Sequence, residues 1–321
     1  MVETTVAPPR ADVTVRPLQE SDLPEADRIL RAAFNTFLAI PDLFGDKDYV
    51  RTRWHADPRA AFAAEIDGRL IGSNLVTGWG SVGFFGPLSV RPESWDRGVA
   101  SRLMEPTLAT FDTWDTQHAG LFTFPQSAKH LGLYQKFGFA PRFLTPVMAR
   151  PTSRPGTTAI PFDRYTQLPE AERPGAIDAC RALTNAVYDG LDLTREIRAV
   201  EHEALGEVVL VHDTAGPAAM AVCHLGAGTE AGSGGCYVKF GCARPGRGAA
   251  ERFTALLDAC EALAVERGAA HIEIGVNTAR HDAYAHVTAR GYRAVMVGVT
   301  MHRARDNGYS RPDAWVIDDW R

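Results

Sequence analysis

The feature that most constrains the fold of this 321-residue chain is that its second half repeats the plan of its first. In each half an apolar segment ends at an Arg-Pro pair, and a short loop containing arginine and glycine then opens an amphipathic helix. The two loops are Arg97-Gly98-Val99-Ala100 and Arg247-Gly248-Ala249-Ala250. They lie about 150 residues apart, which is the size of an ordinary domain, so the sequence indicates an internal duplication.

Hydrophobic periodicity predicts the same succession of elements in both halves. A meander of three strands directly precedes the loop helix, and a strand, a short helix and a closing strand follow it. In the first half the strand before the loop is predicted over 83–90 and the closing strand over 143–148. In the second half the last strand is predicted over 292–301. Residues 42–55 show no clear period and are interpreted as irregular.

The boundary between the two predicted domains is a segment of linker composition. Residues 151–162 contain three prolines and a glycine, which interrupt any regular period. We therefore predict an N-terminal domain over 1–150 and a C-terminal domain over 163–321. Both are of the α/β class.

Composition excludes several classes of function. The net charge of -5 lacks the basic footprint of a nucleic-acid-binding protein, so no nucleic acid is expected as a partner. No signal peptide and no apolar run of membrane-spanning length are present, so we expect a cytoplasmic protein without a membrane partner. The five cysteines form no CxxC pair, which predicts small buried side chains and no metal site.

The loop in the first half has the physical properties of a phosphate site. The unpaired amides of a helix's first turn and the positive end of its dipole attract anions. Gly98 lets a ligand approach the backbone, Ala100 keeps the surface low, and Arg97 adds a cation. The alternative is an ordinary helix start beside an arginine, and these residues by themselves leave the two interpretations equal.

Two motifs resemble those of one protein family. The segment from Leu88 to Ala100, with Pro92, Arg97 and Gly98, resembles the pyrophosphate loop V-x-P-x-x-[QR]-x-x-G-x-[GA] of the GNAT (general-control-related N-acetyltransferase) superfamily. The stretch Leu133-Tyr134-Gln135-Lys136-Phe137-Gly138-Phe139 is similar to that family's L-Y-x-K-x-G-F signature. The resemblance covers about residues 12–148. Trp95 departs from it, since the family usually has Gln or Arg there, and this should weaken coenzyme binding.

The resemblance implies a fold, a reaction and a set of site residues. Each domain would have a mixed, mostly antiparallel central sheet flanked by helices. The reaction would be acetyl transfer from acetyl-CoA, as co-substrate, to a primary amine of an unidentified small molecule. Tyr134 would be the general acid that protonates the departing CoA thiolate, because a phenol is protonated at neutral pH. Main-chain groups of Leu88 and Val90 would face the pantetheine arm, and the pyrophosphate would be held by Arg97, Gly98, Val99, Ala100 and Ser101.

The general base is left open by the sequence. Attack requires a neutral amine, so a carboxylate, a histidine or an ordered water must accept its proton. The predicted strand over 83–90 has no acidic residue. The candidates are Asp42, Asp46, His55 and His130, and deprotonation through water is equally compatible.

The second half is predicted to be degenerate. Its loop has two residues between proline and glycine where the first has five, and Val287 stands where the first has Tyr134. Tyr284 lies one turn earlier on the same predicted helix. Arg280, His281 and His286 are interpreted as a polar helix face. We expect this half to support the first, to shape the acceptor site or to mediate dimerisation, so a monomer and a homodimer both remain possible.

Two further hypotheses concern the tail and the function. Residues 309–321 are too aromatic for a disordered tail and should pack on a domain surface or on a partner subunit. The alternative to an enzyme is a non-catalytic acyl-CoA-binding or sensing protein. An ATP-binding fold is disfavoured because no Gly-Lys-Ser/Thr follows the loop.

Overall fold

The computed structural model of the protein describes residues 13–152 and 161–321. Most of the predicted linker therefore lies outside the described residues. The elements of the first half are β1 Thr14–Pro17, α1 Leu23–Leu38, α2 Tyr49–Ala56, β2 Ala61–Ile66, β3 Arg69–Trp79, β4 Val82–Phe85, β5 Ser89–Val90, α3 Val99–Thr113, β6 His118–Thr123, α4 Ala128–Gln135 and β7 Ala140–Pro151. Those of the second half are β8 Asp163–Arg164, α5 Arg173–Val187, α6 Thr194–His202, β9 Gly206–Asp213, β10 Gly216–Gly226, β11 Gly232–Ala243, α7 Ala249–Glu266, β12 His271–Gly275, α8 His281–Ala289, β13 Arg293–His302 and β14 Val316–Ile317.

The predicted succession of strands and helices is confirmed, with two corrections in the first half and one further strand, β14, after the strand predicted to be last in the second half. The strand predicted over 83–90 is two strands, because Pro87 has no N–H to continue the ladder. The stretch 42–55, interpreted as irregular, contains most of α2. That helix begins at an Asp48 N-cap, whose carboxylate accepts a hydrogen bond of 3.0 Å from the Arg51 amide.

The sheets of the two halves join into one. Neighbouring strands run in the order β1-β2-β3-β4-β6-β13-β7-β12-β11-β10-β9-β8, and most of the pairings are antiparallel. β7 of the first half and β13 of the second half each pair with strands of the other half: β13 inserts between β6 and β7, and β7 also pairs with β12. The α/β class with mixed, mostly antiparallel sheets is thus confirmed, whereas the boundaries at 150 and 163 stay predictions about sequence segments.

A gap opens in the sheet of the first half. β4 runs parallel to β6 as far as Phe85, which lies opposite Leu121. Beyond Pro87 the chain stays paired with β3, where Val90 of β5 lies opposite Gly72. No pairing joins β5 to β6 in the described ranges, so the two strands diverge.

The corresponding place in the second half is filled by the tail. β11 runs parallel to β12 up to Val238, and β14 then pairs with β11, with Val316 opposite Cys242 and Ile317 opposite Gly241. Tyr309 and Trp320 are buried as well. The prediction that the tail packs on a domain surface is confirmed.

The return of the tail also explains an incorrect prediction. Arg280, expected on a polar helix face, is fully buried at the start of α8. Its guanidinium pairs with Asp318 at 2.7 Å and lies 4.9 Å from the centre of the Tyr309 ring. His281 is exposed as expected, and His286 is half-buried beside Thr254 at 3.2 Å. None of the helices in the described segments is long and apolar enough to cross a membrane.

Candidate active site

A cavity of about 880 Å³ lies where β5 and β6 diverge. We name its two parts by their walls. The loop arm is lined by residues of 86–101 and by α4. The aromatic arm is lined by α1 and the segment after it, by Phe122 and Phe124, and by Glu273, Trp320 and Arg321 from the second half. The gap in the sheet therefore connects the predicted phosphate loop to a pocket that both halves build.

The loop residues predicted from sequence lie at the loop arm. Gly98 caps α3 with a φ of 80°, a conformation that favours glycine, and a Cβ there would meet nothing within 4 Å. The first-turn amides of α3 have no acceptor within the helix. Six of the predicted coenzyme residues line the cavity: Leu88, Val90, Gly98, Val99, Ala100 and Ser101. The seventh, Arg97, is exposed beside the loop and does not line it.

Trp95 changes the loop in a way that the sequence did not reveal. Its indole N–H donates a hydrogen bond of 2.8 Å to the carbonyl oxygen of Val90, one of the groups expected to face pantetheine. The Lys129 ammonium lies 5.5 Å from the centre of the Trp95 ring and 2.7 Å from an Asp96 carboxylate oxygen. Lys129 lines the cavity and is a cation beside the loop that sequence reasoning missed. Lys129 thus pairs with Asp96, the loop carboxylate that lines the cavity.

Tyr134 lies on α4 and lines the same cavity. Its side chain is buried, and its ring packs edge-on against Phe85 with centroids 5.6 Å apart. The hydroxyl forms no hydrogen bond with the residues that the structure describes. Burial raises the pKa of the Tyr134 hydroxyl well above its usual value. At neutral pH the phenol is therefore fully protonated and able to donate.

Of the four candidate bases, only His130 lines the cavity. Asp42 lies outside the lining, Asp46 accepts a hydrogen bond of 2.8 Å from the Ser233 amide, and His55 pairs with Glu203 at 2.9 Å. His130 is one helical turn before Tyr134, and its buried Nδ1 has no hydrogen-bond partner in the described part of the chain. Burial, and secondarily the Lys129 ammonium, lower the pKa of His130, so its imidazole is neutral at pH 7.

Five phenylalanines form the apolar side of the aromatic arm, and we call them the phenylalanine wall: Phe34, Phe37, Phe44, Phe122 and Phe124. Their rings follow one another with centroid separations of 5.4 Å for Phe34–Phe44, 6.2 Å for Phe34–Phe124, 5.4 Å for Phe37–Phe124 and 6.5 Å for Phe122–Phe124. Phe37 also lies 4.7 Å from the His130 ring. The wall thus ends one helical turn from Tyr134.

The floor of the aromatic arm is charged but internally paired. Arg321 and Lys47 approach the Glu273 carboxylate at 2.5 and 3.5 Å. A second carboxylate, that of Asp319, is fully buried and accepts a hydrogen bond of 3.0 Å from Tyr237. Sequence reasoning missed the floor, because Lys47 and Glu273 are more than 200 residues apart. The described residues contain no cluster of His, Cys, Asp and Glu suited to a metal.

The equivalent residues of the second half are packed away. Gly248 caps α7 with a φ of 82°, nearly the same as Gly98. Val287, at the position of Tyr134, is fully buried, and Tyr284 packs against the core of its own half. The Asn277 side chain donates a hydrogen bond of 3.0 Å to Thr300. The loop conformation has therefore been kept without the phenol and without the gap.

A family model matches the part of the chain that holds this arrangement. Residues 25–139 match the model of the Acetyltransferase (GNAT) family, a segment that holds the loop, the sheet gap and Tyr134. Residues 25–139 are therefore similar to the GNAT acetyltransferases. No curated protein matches the chain in sequence.

Solved structures extend the likeness in fold to both halves of the chain. A Pyrococcus horikoshii protein assigned to the acetyltransferases aligns with a TM-score of 0.68 and 14% identity over 96% of this chain and 95% of its own. A GCN5-related N-acetyltransferase from Sphaerobacter thermophilus gives 0.62 and 16% over 95% and 100%. The glucosamine N-acetyltransferase region of a fungal β-N-acetylglucosaminidase gives 0.62 and 13% over 92% and 38%. At these identities the likeness shows the tandem fold.

Proposed function

We propose that the protein transfers the acetyl group of acetyl-CoA to a primary amine of a small molecule, by direct attack in a ternary complex. One observation carries the proposal: the open helix N-terminus at Gly98 and the protonated, buried Tyr134 line one cavity at a gap in the sheet. A phosphate site and an acid for a thiolate are the two parts that this reaction needs.

In this proposal the loop arm takes the coenzyme. The amides of Val99, Ala100 and Ser101 bind the pyrophosphate, and Arg97 and Lys129 supply positive charge at its edge. Leu88 and Val90 contact the pantetheine arm. The Val90 carbonyl already accepts a hydrogen bond from the Trp95 indole N–H. Leu88, in the break between β4 and β5, therefore offers the freer main-chain groups.

The reaction then needs two proton transfers. The amine nitrogen attacks the thioester carbonyl carbon, a C–N bond forms, and the C–S bond breaks with its electron pair leaving on sulfur. Tyr134 protonates the thiolate, and we propose that His130 accepts the proton that the nitrogen loses. His130 later returns a proton to the Tyr134 phenolate through solvent. The products are the N-acetyl amide and free CoA.

Thiol release and coenzyme binding, measured separately, test this function. The wild-type protein is titrated with acetyl-CoA by calorimetry and then assayed for CoA release with a panel of primary amines. We expect binding at one site and release that depends on the amine. Binding without release from any amine would favour the sensing protein instead, and absence of binding would contradict both.

A further inference from the structure

The aromatic arm has a surface that selects for apolar ligands. None of the five side chains of the phenylalanine wall is fully buried, so each presents part of its ring to the cavity. Adjacent rings meet edge-on or tilted, at 50–74° between planes, which leaves a continuous apolar surface. A flat apolar group can cover this surface, which an acceptor made of hydroxyl groups cannot do without losing hydrogen bonds to water.

The charges around the cavity disfavour a polycationic acceptor. Among the described lining residues the side-chain carboxylates are those of Asp96 and Glu273. Asp96 pairs with Lys129 at 2.7 Å, and Glu273 pairs with Arg321 and Lys47. A molecule with several ammonium groups would need unpaired carboxylates. The described lining has no unpaired side-chain carboxylate for such a molecule.

The wall also sets the direction of a bound molecule. It runs from Phe44, near the floor residue Lys47, to Phe37, whose ring contacts His130. His130 is the neutral imidazole one turn before Tyr134. A molecule lying along the wall therefore brings one end to the two groups that would move protons, and its other end to the floor.

We propose that the acceptor is an arylalkylamine: a single primary amine on an apolar body of about one aromatic ring. The ring lies against the phenylalanine wall, and the amine points towards His130 and Tyr134. This inference rests on the proposed function for the reaction, but the binding that it describes does not require turnover.

Direct binding tests the inference independently of catalysis. The full-length protein, saturated with free CoA, is titrated by calorimetry with 2-phenylethylamine, n-butylamine, glucosamine and spermidine. We expect 2-phenylethylamine to bind about tenfold or more tightly than the other three, because it alone covers the wall. Phe37→Gln should weaken its binding by about tenfold, and Phe37→Leu by less. Phe162→Gln, a half-buried phenylalanine outside the cavity, should leave it unchanged.

The outcomes separate the two proposals. Equal or tighter binding of glucosamine or spermidine would overturn the acceptor class, and their acetylation would at the same time uphold the acetyl transfer. Binding of 2-phenylethylamine that Phe37→Gln abolishes, without CoA release from acetyl-CoA, would uphold the pocket and contradict the acetyl transfer. Thermal unfolding of the Phe37 variants checks that they fold. Should Phe37→Gln fail to fold, equal binding of 2-phenylethylamine and n-butylamine by the wild type would still overturn the inference.

Discussion

The two halves of the molecule share one fold, but the cleft beside the loop is open in the first half and closed in the second. Both have a glycine of nearly equal φ, 80° at Gly98 and 82° at Gly248, at the start of the helix after the loop. In the first half the strands beside that loop diverge and leave a cavity. In the second half β14 pairs with β11 at the same place and closes it. A phosphate-type loop is therefore not sufficient for a site, because the gap in the sheet must also stay open.

The tail that supplies β14, and so closes the cleft of the second half, continues into the cavity of the first half. After β14 the tail passes the buried Asp318 and reaches the first cavity with Trp320 and Arg321. Further support comes from Glu230 of the second half, which pairs at 3.0 Å with Arg53, and Arg53 donates a hydrogen bond of 2.6 Å to the Gly86 carbonyl at the break. The second half thus closes its own cleft and holds the open one in shape.

The Tyr134 hydroxyl is the clearest chemical difference between the halves, and its removal should have the largest effect on activity. Tyr134→Phe keeps the ring and its contact with Phe85 but loses the proton donor. We expect kcat to fall on the order of a thousandfold while the affinity for acetyl-CoA changes little. Tyr284→Phe, the matched change in the second half, should leave both unchanged. If the two variants behaved alike in steady-state CoA release, the assignment of chemistry to the first half would be wrong.

Closure of the second cleft should depend on the buried pair of Arg280 and Asp318. Asp318→Asn leaves the Arg280 guanidinium buried without its counter-charge, and we expect the free energy of unfolding to fall by about 3 kcal/mol. The control is Asp313→Asn, which breaks the exposed pair with Arg311 and should change little. Urea unfolding at pH 7 measures both. An equal response of the two variants would show that the tail is not clamped by this pair.

The histidines of the two corresponding helices provide a test by pH. Both have a lowered pKa, His130 through burial and Lys129, and His286 through burial and Arg290. A base must be deprotonated, so kcat/KM, expressed per concentration of neutral amine, should be flat above the pKa of His130 and fall as the pH drops below it, at a pH under 6.5. His130→Gln should lower kcat/KM about a hundredfold at pH 7.5 and remove this acid limb.

His286→Gln supplies the control, because His286 lies outside the cavity and packs against Trp315. Its profile should follow that of the wild type. An acid limb that persists in His130→Gln would assign the base to another group, or to water.

Much of the fold and part of the site could be predicted from local patterns. The loop residues and Tyr134 are readable because they are contiguous motifs with a fixed distance between them. The break at Pro87 had a visible signal, since proline cannot continue a central strand. The exchange of β7 and β13 had none, because a strand has the same alternation in either sheet. The charged floor of the aromatic arm had no signal in the sequence either, since Glu273 and Arg321 meet Lys47 only through that shared sheet.

Substitution of the loop glycines, which have nearly the same φ in the two halves, is expected to have the smallest effect. Gly98→Ala and Gly248→Ala both place a Cβ at a φ near 80°, so each should lose a similar, small amount of stability. At Gly98 the new methyl group would also point into the open space where the pyrophosphate is proposed to bind. We expect its KM for acetyl-CoA to rise about tenfold, and that of Gly248→Ala to stay near the wild-type value. Equal rises in KM would mean that backbone strain, and not ligand contact, is what the substitution at Gly98 reports.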